Sequence, residues 1–241
     1  SPARPGPSRP GGLCCPLYPI APGGGARSWA PASAGAQEGR ARSSVLRRGM
    51  RDTAEFEQMA MDEAFGRSKD DVLSGHEYTV AGVDMELYFS PQDDPEQIII
   101  DAIESADHSI RFMVFSFTHD DIAGALLDAA ERGVDVAGIM DTSQASSSYA
   151  VDEDLAMEGI PVFLDGNENS SGWAGGKLHH KVLIVDEGTQ SDPLVITGSM
   201  NWSGVGSTDN DENILVVHDD DLARAYAEEF CLLYESATIS M

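Results

Sequence analysis

"LHHKVLIVDEG", residues 178–188, opens with two adjacent histidines and a lysine, continues through four apolar residues and closes on an aspartate. An apolar run bounded by Asp186 and Gly188 predicts a buried strand over 178–186. Side chains on a strand alternate between faces, so His179 and Lys181 share one face while His180 and Asp186 share the other. The pair able to act together on one substrate is therefore His179 with Lys181. "TGSMNWS" (197–203) carries the same parity, with Ser199 and Asn201 on one face across Met200. If the two strands pair, an imidazole, an ammonium, a hydroxyl and a carboxamide converge.

Outward from these strands, the chain alternates strand and helix patterns. "VDMELYFSP" reads as a strand stopped by Pro91, and "PEQIIIDAIESA" as a helix with Pro95 in its first turn. "SIRFMVFSF" (109–117) is apolar enough for a central strand. "HDDIAGALLDAAERG" is a helix with acids in its first turn, Arg132 in its last and Gly133 as its stop. "VDVAGIMD" (134–141), a Ser-rich loop, a short helix near 151–158 and "IPVFL" follow. After a Gly-rich loop (165–176) come the strand 178–186, "LVITGS", "ENILVV" and a last helix over 220–235. Strands alternating with helices, then strands in succession, predict an α/β (α+β) fold, a mixed sheet flanked by helices on both faces. The domain reading is a disordered Pro/Gly/Arg-rich tail over 1–51, an N-terminal helix and linker over 52–76, and a catalytic domain over 77–236. In "TAEFEQMAMDEAFG", Phe56, Met59 and Phe65 fall at helical spacing and Gly66 is the stop.

Charge is distributed unevenly. Residues 1–51 hold eight arginines and one acid, so residues 52–241 hold seven basic groups against forty acids. So acidic a surface repels polyanions at low salt and is tolerable at high salt. No window holds the run of about 18 apolar residues that a membrane span needs, so the chain reads as soluble. The Arg- and Ser-rich, acid-poor start also fits an organelle targeting segment, and no secretory signal is visible. Localisation stays unknown. Three cysteines give neither a disulfide framework nor a metal-ligand spacing.

The predicted convergence suits a phosphodiester. Lysine and amide donors stabilise charge growing on non-bridging oxygens, and a neutral imidazole nitrogen can attack phosphorus to form a covalent intermediate. Nearby Lys181 helps to keep His179 neutral. A carboxylate on the other ring nitrogen would fix the tautomer, and Glu212 in "NDENILVV" is the candidate.

His179-x-Lys181-x₄-Asp186 followed by Gly198-Ser199-x-Asn201 resembles the HxKxxxxD…GSxN signature of the phospholipase D superfamily. The order of elements from about residue 77 to 236 is similar as well. One departure is length: eleven residues separate Asp186 from Gly198, more than the family pattern has. The extra residues lie between Gly188 and Pro193 and read as a longer turn. The resemblance implies that His179 is the nucleophile or, in a partner site, the acid that protonates the leaving group. It implies phosphoryl binding by Lys181, Ser199 and Asn201, orientation of the histidine by Glu212, and no metal or cofactor. Asp186 completes the catalytic motif, but parity makes it a group acting at one remove.

That chemistry needs two HxK motifs, and this chain has one. Either two copies meet in a homodimer, or a first half-domain supplying the second motif is missing. "AEFEQMAMDEAFG" near residue 54 is similar to "EEFCLLYESA" near 228, so residues 52–66 read either as the tail of a lost half or as a simple N-terminal helix. Three functions follow: a phosphodiesterase acting on phospholipid head groups, an endonuclease on single-stranded DNA or RNA, or an inactive half of a two-motif enzyme. Nucleic-acid affinity comes mainly from neutralising many phosphates, and no basic stripe exists here, so the lipid reading is favoured. His180 reads as a strand-face histidine, His119 as a helix cap, Trp202 as packing, and His76, His108 and His218 as surface groups. Trp173 reads as a loop aromatic. "STDNDEN" (207–213) lacks the glycine and the distant glutamate of a calcium loop.

Overall fold

The computed structural model describes residues 55, 57–70, 76–165 and 176–239. Nine strands form one mixed sheet: β1 (Glu77–Val80), β2 (Val83–Ser90), β3 (Ser109–Val114), β4 (Asp135–Met140), β5 (Val162–Leu164), β6 (Lys181–Val185), β7 (Leu194–Gly198), β8 (Glu212–His218) and β9 (Thr238–Ile239). Their order is β1-β2-β8-β7-β6-β3-β4-β5-β9. β3, β4 and β5 run parallel, linked by α2 (Asp120–Glu131) and then by α3 (Thr142–Ala145) and α4 (Asp152–Met157). The remaining pairs are antiparallel. α1 (Pro95–Ser105) carries the chain from β2 to β3. α5 (Gly204–Thr208) bridges β7 and β8, and α6 (Asp220–Ser236) precedes β9.

Two cores follow from the alternation of side chains. On β6, Leu183 and Val185 pack with Ile99 and Ile103 of α1 and Ile122 and Leu126 of α2. Val182 and Ile184 face the other way, with Ala223 and Phe230 of α6. All five residues of β6 are buried, which is why the strand reads as a continuous apolar run. Each such Leu or Ile contributes roughly 1.5–3 kcal/mol by leaving water. Trp202 is 2% exposed and packs edge-on against Phe117, so it is a core residue as expected. Gly138 on β4 has no alternative, because a Cβ there would lie 1.9 Å from the Phe112 ring.

Several boundaries differ from the sequence reading. The ladder of β6 begins at Lys181, not at residue 178. Side chains take the backbone groups of the preceding residues: Leu178 N–H donates to Asp141, and His179 C=O accepts from Lys181. Only His180 C=O is bonded across, to Phe115 N–H. Near the N-terminus, residues 57–61 are helical, but Gly66 opens a 3-10 turn (Gly66–Ser68) rather than closing the helix. The hairpin strand β1, the short α3 and α5 and the edge strand β9 were not read from the pattern.

Candidate active site

One edge of the sheet gathers the chemistry. β2, β3, β4, β5 and β7 end there, and β6 and β8 begin there, as the pairs Ser90↔Glu212, Gly198↔Ile214 and Val114↔Lys181 record. His179 and Lys181 therefore meet the Ser199–Asn201 segment and Glu212 at a single rim. At the C-terminal ends of parallel strands the backbone leaves the ladder, so side chains there are free to face a ligand.

His179 is exposed, and its ring lies against Phe115 with centroids 4.6 Å apart. Lys181 Nζ stands 3.4 Å from His179 Nδ1, donates to His179 O at 3.0 Å and lies 5.0 Å over the Phe115 ring. Although they begin just before the ladder, the two side chains do share a face. Lys181 is 6% exposed, and burial pushes its ammonium below the ordinary lysine pKa, with the Glu212 carboxylate acting in the opposite sense. Among the described residues it makes no ion-pair contact, whereas Arg67, Lys69, Arg111, Lys177 and Arg224 each meet a carboxylate within 4.0 Å. Its charge is thus left to whatever occupies the rim.

Ser199 is exposed; its Oγ accepts from Asn213 N–H at 3.0 Å, and its N–H donates to Asn213 O. The close approach of β7 to β8 requires Gly198, since a Cβ would sit 2.1 Å from Asn213 O. Asn201 Oδ1 is buried and takes no hydrogen bond from the described residues. Glu212 accepts from Asn210 Nδ2 at 3.1 Å and acts on Lys181 through its charge. It makes no hydrogen bond to His179 among the described residues.

Asp186 is not brought to this rim. It closes β6 at the opposite end, 1% exposed and at φ +54°, where its carboxylate accepts the N–H groups of Asp107, His108 and Ser109 at 2.8–2.9 Å. It ties β6 to the start of β3. The residue missed by sequence reading is Asp141. It is 1% exposed at the end of β4 and accepts from Leu178 N–H at 3.1 Å, from Ser143 N–H at 3.0 Å and from Ser143 Oγ. Lys177 Nζ stands 3.9 Å away. Asp141 thereby fixes the backbone immediately before His179. An acid closing the buried run "VDVAGIMD" was the available signal.

Other readings resolve locally. His180 lies partly buried with Nδ1 unpartnered among the described residues. His119 occupies the residue before α2, but its ring bonds Glu96 at 2.8 Å instead of capping the helix. His76 and His218 are engaged rather than free: His76 stacks on Tyr88, and His218 bridges Asp192 and Glu86. Asp209 and Asp211 of the 207–213 stretch are taken up by Arg67 and Lys69. Trp173 lies outside the described residues. No helix among the described residues is long and apolar enough to cross a membrane.

A mixed sheet with one HxK segment and a GSxN strand meeting at its edge defines a single-motif phospholipase D-like domain. A family model described as "Cardiolipin synthase, PLD-like domain" matches residues 99–233, more than half of the chain, and the chain belongs to that family. It is 30% identical over 142 residues to a phospholipase D of Rickettsia bellii, covering 59% of this chain and 65% of that one. It is 35% identical over 130 residues to a mitochondrial cardiolipin hydrolase of Xenopus tropicalis, covering 54% and 56%. The chain thus spans between 56% and 65% of the length of these relatives. Among solved structures, it is similar to Nuc from Salmonella typhimurium, a phospholipase D family member (31% identity, TM-score 0.57, 65% of this chain and 97% of that one). NucT from Helicobacter pylori matches at 26% identity and the same TM-score, over 66% and 99%.

Proposed function

We propose that the chain is a phosphodiesterase of the phospholipase D type that works through a phosphohistidine on His179. The observation carrying this is the exposed His179 ring beside a buried Lys181 that makes no ion pair among the described residues. His179 Nε2 attacks phosphorus, an N–P bond forms and the bond to the leaving oxygen breaks. Lys181, Ser199 and Asn201 hold the non-bridging oxygens, where charge grows. A second histidine protonates the leaving oxygen, then takes a proton from the water that attacks phosphorus and frees His179. This sequence holds one HxK, so that second histidine is His179 of a second copy or belongs to an HxK half-domain outside the sequence.

The substrate reading is a phospholipid head group. One phosphodiester needs only the local Lys181 cation. A nucleic acid must be neutralised along its length, and seven basic residues against forty acids over 52–241 oppose that. The test is a substrate panel with a His179→Ala control. The expected result is choline or ethanolamine release from phospholipid that vanishes in the variant. Cleavage of single-stranded DNA by the wild type alone, without head-group release, would overturn the lipid assignment.

A further inference from the structure

Residues 65–70 precede the stretch that the family model covers, yet they are fastened to the strand end that carries Glu212. Lys69 is the fastening. Its side chain is 0% exposed, and its ammonium meets Asp211 at 2.7 Å, Ser90 O at 3.3 Å and the carboxylate of Glu55. Asp211 immediately precedes Glu212, and Ser90 is the residue directly opposite Glu212 across the β2–β8 pair. Lys69 therefore grips both sides of the position of Glu212. Neighbouring contacts extend the grip. Gly66 N–H donates to Asp211 at 2.9 Å, and Gly66, at φ +53°, sits so close that a Cβ would lie 2.3 Å from Asp209 O. Arg67 bonds Thr208 O and the Asp209 carboxylate, and Gln92 bonds Gly66 O. Ser90 Oγ in turn bonds Gly206 O and Ser207 O of α5.

We infer that residues 65–70 form a brace, with Lys69 its positioning residue, that holds Glu212 at the rim it shares with Lys181. This role rests on the functional reading above, but its physical content does not. Among the described residues, the charged or titratable groups at Lys181 are His179 on its own segment and Glu212 on β8. The segment after β3 contributes Phe115, and β7 leads into Ser199 and Asn201, none of which titrates in the working range. Removing the Lys69 charge leaves Asp211 and Glu55, both partly buried, without their shared cation and loosens the hold on the strand end that carries Glu212. Glu212 then moves away from Lys181, and desolvation acts on the lysine unopposed.

The chain has three lysines, Lys69, Lys177 and Lys181, so ε-13C-lysine labelling of the full chain gives three resonances, assignable by single substitution. In Lys69→Met, the Lys181 titration midpoint is expected to move to lower pH, raising its neutral fraction about threefold at a pH below the midpoint. Arg67→Ala, at a mostly exposed side chain, should shift it the same way by less, and stands in if Lys69→Met does not fold. An unchanged midpoint in the folded variant overturns the brace. If the midpoint moves but the wild-type chain hydrolyses no phosphodiester, the brace stands and the functional reading falls. If the chain is active and the midpoint stays, the reverse holds.

Discussion

Replacing Asp186 should cost stability and leave chemistry intact, although it completes the HxKxxxxD motif. Its carboxylate is 1% exposed and accepts three backbone N–H groups at the start of β3. A hydrogen bond to a charged group contributes about 1.5–3 kcal/mol, but Asp107 and His108 are exposed enough for water to recover part of the loss. Asp186 also sits at φ +54°, a conformation costing a non-glycine residue without a polar side chain about 1–2 kcal/mol. Asp186→Ala should therefore lose about 4 kcal/mol, which lowers the melting temperature by roughly 10 °C for a domain of this size. Asp186→Asn tolerates the backbone and keeps the oxygen that serves His108 and Ser109, so it should lose about half as much. The assay is thermal unfolding by circular dichroism, with kcat measured well below the transition. An Asp186→Ala melt within about 2 °C of wild type, or a kcat loss of a hundredfold in a protein that melts normally, refutes the assignment.

Asp141→Ala should lower kcat by tenfold or more with little change in KM, because it frees the backbone before His179; Asp141→Asn, which can still accept from Leu178 N–H, should recover part of the rate in steady-state assays. Gly198→Ala should destabilise by about 2–3 kcal/mol, since its Cβ would lie 2.1 Å from Asn213 O; chemical denaturation measures this. Burial of His218 opposes its charge, but Asp192 and Glu86 more than offset this and raise its pKa above 6.5. A raised folded pKa contributes stability that is full below the unfolded value and lost as pH rises through the folded one. The melting-temperature gap between wild type and His218→Gln should thus be widest near pH 6 and close at higher pH.

The sequence was most legible where one periodicity governed a whole element. Ile110, Phe112 and Val114 against Met113 make β3 a two-sided buried strand, and the acids, Gly133 and spacing of α2 left one reading. The functional strand was harder. His179 and Lys181 meet as parity required, but Leu178 and His179 have their backbone groups bonded by Asp141 and Lys181, so the ladder starts late. No local pattern reveals a side chain arriving from β4. Parity turned Asp186 to the other face but carried no information on which end of the sheet it served. Glu212 was read as the partner of the histidine; its place at the rim depends on how β8 pairs with β2 and β7. Lys69 lay inside a segment read as helix and linker, because a buried ion pair with residue 211 has no signature within six residues of local sequence.

The most direct test of the central claim is to trap the intermediate. The chain is mixed with phosphatidylcholine vesicles, denatured rapidly at alkaline pH and digested for peptide mass spectrometry. The account predicts a phosphatidyl adduct on His179, absent in His179→Ala and unaffected by His180→Ala. Head-group release with no adduct on His179, or with the adduct on His180, would contradict it.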